Sequence, residues 1–376
     1  MSKSCAWDDL IGQTKAVSYL RSAIDTHTVG HAYLFVGPAG AGKKTAAKAF
    51  ACAMLCEDGG CGACGVCYRI KRGLHPDVQV FEPEGASSYL LREQIRPLIN
   101  GVHMRPIEGS RKVYIVGQAD LMRDDSANAF LKTLEEPPND VVIIMLAPTL
   151  DSVLPTIASR CLVVRFARIP ASVAIDLLRS RTAASRIEAQ AGLAATGDVL
   201  TRAVEFLESS SRRAARERML GILKDLTALD EFDVLASARE LLTLVKAPLE
   251  ELKEQHVQEL LSRQEFMGKA PNKSVEDRQK RELTAREREG VAEILNVTES
   301  WLRDCLVMSQ GLGDMVVNGD AADAMEEVAA IMTPGAATRA LDAVNETRRR
   351  ISYNVSPQLA IEAMLFDIRE VLLCPR

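Results

Sequence analysis

Aromatic residues and long apolar runs are both scarce in this sequence of 376 residues. Phe, Trp and Tyr make up 5% of the chain, against 47% hydrophobic and 26% charged residues. No apolar run reaches the ~18 residues of a membrane-spanning helix, and residues 1–13 lack the apolar stretch of a secretion signal. We therefore expect a globular, helix-rich, cytoplasmic protein, whose length allows two or three domains of roughly 150 residues each.

An excess of positive charge is also absent. The sequence has 46 Lys and Arg against 51 Asp and Glu, which gives a net charge of −5. Proteins that hold a nucleic-acid backbone unaided are usually basic, because phosphate neutralisation supplies most of their affinity. We therefore expect any DNA contact to be local or shared with partner proteins. This charge balance disfavours one alternative, a zinc-dependent regulator that binds DNA on its own.

Predicted strands and helices alternate up to Pro170. Apolar stretches typical of buried strands occur at 31–37, 77–83, 112–118, 141–147 and 162–170. The alternation indicates an α/β domain over 1–170, with a parallel sheet covered by helices on both faces. Residues 1–30 are predicted to form two short helices, and 89–102 a helix that is interrupted or ended near Pro97.

Beyond Pro170 the pattern is helical, with no convincing strand. We divide this part into a small helical unit at 171–210 and a longer all-α region at 211–376. Residues 262–290 are almost wholly polar and are interpreted as a solvated loop leading into an exposed helix. The alternative, a basic arm for DNA, is disfavoured because acidic residues interleave with the basic ones.

Two further helical signals follow the polar segment 262–290. A buried helical face is predicted from Val291, Ile294, Leu295, Leu302, Cys305 and Leu306. The last helix is predicted to begin at Pro357 with Ser356 as its N-cap.

The segment GPAGAGKK, residues 37–44, fits the phosphate-loop pattern G-x-x-x-x-G-K and then departs from it. Glycines let backbone N–H groups turn towards phosphate oxygens, and the lysine supplies a charge for the β- and γ-phosphates. The next position should be the Ser or Thr that binds Mg²⁺, but it is Lys44, with Thr45 one place late. The loop either still binds ATP or ADP or persists as a glycine-rich turn. The candidate phosphate-binding residues are Gly37, Gly40, Gly42, Lys43, Lys44 and Thr45.

The third predicted strand lacks the acidic pair that ATP hydrolysis requires. It ends in Gly117 and Gln118, where an active enzyme has one acid for magnesium and another for the attacking water. With Lys44 in place of the hydroxyl, both usual protein ligands of the metal are missing. We therefore predict no hydrolysis. The alternative, an active ATPase, would need another acid, and Asp120 is the nearest candidate.

Four of the nine cysteines lie within twelve residues. Cys56, Cys61, Cys64 and Cys67 have the spacing C-x4-C-x2-C-x2-C, with glycines between them. Four thiolates suit a tetrahedral, structural Zn²⁺ with no open coordination position. An iron–sulfur cluster is the main rival.

These motifs together resemble the bacterial clamp-loader subunits of the AAA+ class. The resemblance rests on HAYLFVGPAGAGKK, the four-cysteine module after the next helix, NAFLKTLEEPP at 128–138 and SRC at 159–161. The missing carboxylates separate the chain from the gamma/tau motor subunits. They match the delta prime subunits of the DNA polymerase III clamp loader, which are similar in fold but do not hydrolyse ATP.

The resemblance implies a role in a hetero-oligomeric ring. Residues 171–210 would be the lid domain and 211–376 the collar domain that joins the subunits. Arg160, which taken alone could be an ordinary surface residue, would be an arginine finger aimed at the ATP of a neighbouring motor subunit. With gamma/tau-type subunits and a delta subunit, the complex would load the sliding clamp onto primed DNA. The chain itself would synthesise no DNA, although the assembly is part of a DNA-directed DNA polymerase.

One position in 171–210 departs from the motor subunits. The stretch ATGDVLTRAVEFL is similar to the lid helix in which motor subunits carry a sensing arginine. The corresponding position here is Leu200, with Arg202 nearby.

Overall fold

The computed structural model describes residues 5–8, 10, 12–82, 92–122, 124–267, 273–353 and 355–374. The contacts divide the chain into two compact units, Met1–Pro170 and Ala171–Arg376.

The first unit contains a five-stranded parallel sheet in the order β2-β3-β4-β1-β5. Its strands are β1 (Ala32–Val36), β2 (Val78–Phe81), β3 (Lys112–Val116), β4 (Val141–Ala147) and β5 (Leu162–Arg165). Every residue of β1, β3 and β4 is buried, as expected of strands covered on both faces. The predicted parallel α/β domain is confirmed.

Helices cover the two faces of this sheet. They are α1 (Thr14–Asp25), α2 (Lys43–Leu55), α3 (Gly65–Arg72), α4 (Arg92–Gly101), α5 (Asp124–Glu135) and α6 (Pro155–Ala158). Alternate residues of a strand face opposite sides. Tyr33 and Phe35 therefore join one core with Phe50 of α2, while Leu34 joins the other core with Phe130 of α5.

Two details of the predicted helices are wrong. Among the described residues of 1–30, α1 is the only helix, and residues 6–8 form a turn instead. The Ala6 N–H donates to the Gly60 carbonyl at 2.9 Å, and Trp7 is buried, so a tertiary contact holds this turn. Helix α4 also continues through Pro97. Burial of Ile95 and Leu98 on either side of the proline offsets the lost backbone hydrogen bond.

The described residues of the second unit are helical, without a strand. The helices are α7 (Ala171–Arg181), α8 (Arg186–Ala195), α9 (Leu200–Glu208), α10 (Ser210–Asp225), α11 (Glu231–Met267), α12 (Lys273–Ser309), α13 (Ala322–Ile331), α14 (Pro334–Ser352) and α15 (Pro357–Leu373). Ala195 and Phe206, from α8 and α9, pack in the same core as residues of α10 to α15. The division into lid and collar domains stays a prediction.

The polar segment 262–290 is more helical than predicted. Helix α11 extends to Met267 and α12 begins at Lys273, and residues 268–272 lie outside the described residues. Glu, Arg, Lys and Gln are good helix formers, so a sequence without apolar periodicity still forms helix here.

The helical face predicted after this segment is confirmed. Val291, Ile294, Leu295, Leu302 and Cys305 are all buried, and Leu306 is partly buried against the same core. Ser356 occupies the N-cap of α15 with Pro357 at its first position, although the Ser356 side chain makes no capping hydrogen bond. None of the described helices is both long and apolar enough to cross a membrane.

Candidate functional site

The glycine-rich loop lies where the sequence places it, between β1 and α2. Helix α2 begins at Lys43, so its N-terminal N–H groups point towards the loop. Gly40 and Gly42 have φ values of 75° and 80°, which is a left-handed backbone conformation that glycine adopts without strain. Thr45 lies in the first turn of α2. A glycine-rich loop that leads into a helix N-terminus is an arrangement suited to an anion, and we call it the anion cradle.

Lys43 closes this cradle from within the loop. Its ammonium donates to the carbonyl oxygens of Gly37 and Pro38, the latter at 2.8 Å. Burial lowers the pKa of Lys43, and the nearby Asp120 carboxylate opposes that shift. The Lys43 ammonium is thus held across the loop by backbone carbonyl groups of the loop itself.

Asp120 follows β3 in a short 3₁₀ turn, Ala119–Leu121. Its Oδ1 atom is buried and has no hydrogen-bond partner among the described residues. Burial raises the pKa of Asp120, and the charge of Lys43 acts against this rise. The structure therefore places the one acid considered as an alternative magnesium ligand within electrostatic reach of the phosphate-loop lysine.

The end of β3 carries no carboxylate of its own. Gly117 is buried, and the exposed Gln118 has a left-handed backbone with φ 55° and ψ 53°. A Cβ atom at Gly117 would lie 3.0 Å from Cγ of Glu82. Glu82, at the end of the neighbouring strand β2, thus occupies the space beside the position where an active enzyme has its first acid.

Glu82 is bound to the lysine that replaces the metal-binding hydroxyl. The Lys44 Nζ and Glu82 Oε1 atoms are 2.7 Å apart, and both side chains are about half exposed. No motif in the sequence indicated Glu82 as part of this site. The available signal was its position at the carboxyl end of a parallel strand, the edge at which such sheets bind ligands.

The four cysteines of the predicted metal site converge. Their sulfur atoms all lie within 4.8 Å of one another, and Cys56 Sγ is 3.8 Å from Cys61 Sγ and 3.6 Å from Cys64 Sγ. A tetrahedral ion with zinc–sulfur bonds of about 2.3 Å requires sulfur separations of about 3.8 Å. The donor set therefore fits zinc.

Backbone N–H groups around the module donate to several of these sulfurs, although burial raises the pKa of Cys67. Cys56 follows α2, and Cys64 is the N-cap of α3. The Cys61 sulfur accepts from the Cys64 N–H at 3.3 Å, and the Cys64 sulfur from the Cys67 N–H at 3.5 Å. Burial disfavours a charged Cys56, but backbone N–H groups of residues 58, 60 and 61 outweigh it and lower the pKa of Cys56 to about 6. A thiolate is thus favoured at this position before metal binds.

Arg160 lies just beyond α6, in the turn before β5. Helix α6 ends at Ala158 because Arg160 N–H bonds back to the Ile157 carbonyl in a tighter turn. The guanidinium is 2.6 Å from Oε1 of Glu135 and donates to the Thr156 carbonyl at 2.9 Å. Its side chain is 35% exposed. Glu135 belongs to the motif NAFLKTLEEPP, but the sequence pattern did not indicate it as the partner of Arg160.

The sensing position of the second unit carries no charge. Leu200 begins α9 and is buried. Arg202, the nearby arginine, forms an ion pair with Glu289 of α12 at 3.0 Å.

Comparison with known proteins finds two family models that match different parts of the chain. Residues 12–170 match the family described as DNA polymerase III, delta subunit, and 259–370 match that described as DNA polymerase III, delta subunit, C terminal.

Individual relatives match part of the chain. DNA polymerase III subunit delta' of Pseudomonas aeruginosa is 42% identical over 135 residues, which is 35% of this chain and 41% of that protein. Subunit delta' of Bacillus subtilis is 36% identical over 152 residues, 40% of this chain and 46% of that protein. The chain thus matches less than half the length of these relatives. Subunit tau of Escherichia coli is 37% identical over 159 residues, 41% of this chain and 24% of that protein.

A solved structure spans more of the chain. The gamma subunit-related protein of DNA polymerase III from Thermotoga maritima covers 93% of this chain and 98% of its own, with 15% identity and a TM-score of 0.42. The family matches over residues 12–170 and 259–370 and the delta' and tau relatives agree with the resemblance drawn from the motifs, and we conclude that this chain is similar to DNA polymerase III clamp-loader subunits over these parts of its length.

Proposed function

We propose that this chain is the delta prime, or stator, subunit of a DNA polymerase III clamp loader and does not hydrolyse ATP. In this role it joins gamma/tau-type motor subunits and a delta subunit in a ring that places the sliding clamp on primed DNA. The proposal rests mainly on the residues at the carboxyl end of β3, Gly117 and Gln118. Neither residue has a carboxylate, and the acid beside Gly117, Glu82, is bound to Lys44.

Hydrolysis needs a metal held by a hydroxyl and an acid, together with a polar group that orients water. At the hydroxyl position Lys44 presents a positive charge, which repels a divalent cation. Gln118 could orient a water molecule but cannot accept its proton. The loop keeps its anion cradle, and we propose that it still binds ATP or ADP without turning it over.

Arg160 has the properties that a finger supplied in trans requires. It is partly exposed, it follows a short helix that fixes its backbone, and its guanidinium forms an ion pair with Glu135 at the surface. A guanidinium makes paired contacts with phosphate oxygens and stays charged at any working pH. We propose that it moves from Glu135 to the γ-phosphate bound by the adjacent motor subunit.

The cysteine module would then be structural. It would hold a zinc ion through four sulfurs, which leaves no coordination position for a substrate. Cys56, Cys61, Cys64 and Cys67 would be its ligands.

A second candidate is an active ATPase of the gamma/tau type. Asp120 favours it, because one of its carboxylate oxygens is buried near Lys43 without a hydrogen-bond partner among the described residues. In that case Asp120 would bind magnesium from a position three residues beyond the usual one.

ATP turnover by the purified chain separates these two candidates. We expect no release of phosphate above background with magnesium, and no change with Asp120→Asn or Lys43→Ala. Magnesium-dependent turnover that both substitutions abolish would establish the active ATPase instead. Co-purification with a gamma/tau-type and a delta-type subunit tests membership of the ring independently.

A further inference from the structure

The strongest unexplained feature of the first unit is the contact between Lys44 and Glu82. It joins the first turn of α2 to the carboxyl end of β2, with 2.7 Å between the Lys44 Nζ and Glu82 Oε1 atoms. An ion pair that is half exposed on both sides contributes little to stability. Stability therefore does not explain why this ion pair lies at the anion cradle.

Gly117 belongs to the same arrangement. A Cβ atom there would lie 3.0 Å from Cγ and 3.2 Å from Oε1 of Glu82. A side chain at 117 would push against Glu82, the partner of Lys44, which would have to shift by a few tenths of an ångström. Glycine at the end of β3 therefore leaves room for the Lys44–Glu82 pair.

The charges around the loop favour an anion without a metal. Lys43 and Lys44 lie at the first two positions of α2, where the helix N-terminus adds further positive potential. Lys48, one turn later, lies within electrostatic reach of Lys44 and Glu82. Asp120 lies within electrostatic reach of Lys43. A lysine ammonium has three donors, so Lys44 can bind Glu82 and still donate to phosphate oxygens.

We infer that the Lys44 ammonium, held in place by Glu82, replaces the divalent cation of the phosphate loop, so that the loop binds a nucleoside di- or triphosphate without magnesium. The inference rests on the anion-binding role proposed for the loop, and not on the role of Arg160 or on assembly of the ring. Lys43 corresponds to the lysine of the standard phosphate-loop pattern. Lys44 supplies the positive charge that a magnesium ion provides in other phosphate loops.

The test is equilibrium binding of a fluorescently labelled ADP to the full-length chain, with and without added magnesium. Magnesium is removed from the buffer and the nucleotide beforehand, and no strong chelator is added, because a chelator would also attack the cysteine module. We expect the same Kd under both conditions. Lys44→Ala should weaken binding about tenfold under both, which corresponds to one charge-assisted contact. Lys43→Ala should abolish binding and thereby identifies the loop as the site.

Two substitutions separate the metal-replacing role from a bulk charge effect. Glu82→Gln keeps the positive charge of Lys44 and removes only its tether, so we expect weaker binding that remains independent of magnesium. Lys132→Ala removes a positive charge from an exposed position on α5, outside the loop, so it should leave Kd unchanged. Metal content and melting temperature of each variant show that the fold is retained.

Three results would overturn the inference. They are binding that tightens tenfold or more with magnesium, binding that Lys44→Ala leaves unchanged, and an absence of binding under both conditions. None of them depends on clamp loading, so a failure here is distinguishable from a failure of the stator role.

Discussion

Under the proposed function, Arg160 would serve both the isolated chain, through its ion pair with Glu135, and the assembly. In the isolated chain the guanidinium is neutralised by the carboxylate at 2.6 Å. Such a partly exposed pair is weak, so exchanging Glu135 for a phosphate group costs little. The ion pair therefore orders the Arg160 side chain but is weak enough to be exchanged for another anion.

Replacing Arg160 should affect the complex and not the chain. We expect Arg160→Ala to leave folding, zinc content and ring assembly intact while lowering clamp-stimulated ATP hydrolysis and clamp loading. An arginine finger supplied in trans accelerates phosphoryl transfer roughly 10³–10⁵-fold at the ATP site that it contacts. Only the ATP site beside this subunit should therefore lose its activity. Arg160→Lys, which keeps the charge but loses the planar fork, should be defective as well.

Glu135→Gln provides the matched control for this prediction. It breaks the same ion pair but leaves the guanidinium charged and available. If Arg160 acts on a neighbouring nucleotide, Glu135→Gln should retain loading activity. If Arg160 only attaches its turn to α5, both substitutions should be equally harmful, or equally harmless, in the loading assay.

At the scale of elements, the cysteine module is an excursion between α2 and β2. It includes α3 and packs on the core face formed by α2. Its position between two regular elements means that the sheet does not depend on it for strand pairing.

One zinc ion per chain should survive dialysis, and Cys64→Ser should lose most of it. The substitution removes one of four thiolates and the sulfur that caps α3, so we expect local loosening while the sheet remains folded. Cys52→Ala is the control, because Cys52 is buried, its pKa is raised to about 11 by burial, and it lies outside the cluster of four sulfurs. Elemental analysis is the measurement, and iron in place of zinc would contradict the assignment.

A second element-scale prediction concerns Glu293 on α12. Its side chain is buried beside Arg212, with 3.0 Å between Nη1 and Oε1. Burial raises the pKa of Glu293 to about 7, with Arg212 and Arg202 opposing the rise and Glu289 and Glu205 adding to it. A carboxyl group with a raised folded-state pKa binds more protons in the folded chain. Its contribution to stability is therefore complete below its unfolded pKa of 4.5 and is lost as the pH rises towards 7.

Glu293→Gln should remove this pH-dependent loss of stability, because an amide does not titrate. Relative to the wild type, the variant should gain unfolding free energy between about pH 4.5 and pH 7, by at most about 3 kcal/mol. Denaturant unfolding of both proteins at several pH values gives the difference directly. A difference that is independent of pH would show that the group titrates normally.

At the scale of the whole molecule, the net charge of −5 constrains how the chain meets DNA. A protein that neutralises many phosphates shows a steep fall in affinity with salt. We expect the isolated chain to bind primed DNA weakly, even at low salt, and to rely on its partners for this contact. Fluorescence anisotropy with a labelled primer–template measures the affinity. Tight binding with a steep salt slope would instead support a DNA-binding regulator.

Local sequence determined most of the first unit and the residues of its candidate sites. Apolar strands, the glycine-rich loop and the cysteine spacing each act over a few neighbouring residues, so their structure could be predicted from pattern alone. The same holds for the face of α12 that begins at Val291, because helical periodicity is a local property.

Only the tertiary structure decided which distant residues meet. Glu82 contacts Lys44, and Asp120 lies within electrostatic reach of Lys43, because parallel strands bring their carboxyl ends to one edge. The contact of Glu135 with Arg160 likewise joins two elements that are distant in sequence.

The turn at Ala6 and the passage of α4 through Pro97 were mispredicted for a related reason. In both segments, burial against other elements outweighs the local conformational preference. The sequence of a short segment does not indicate which surface will cover that segment.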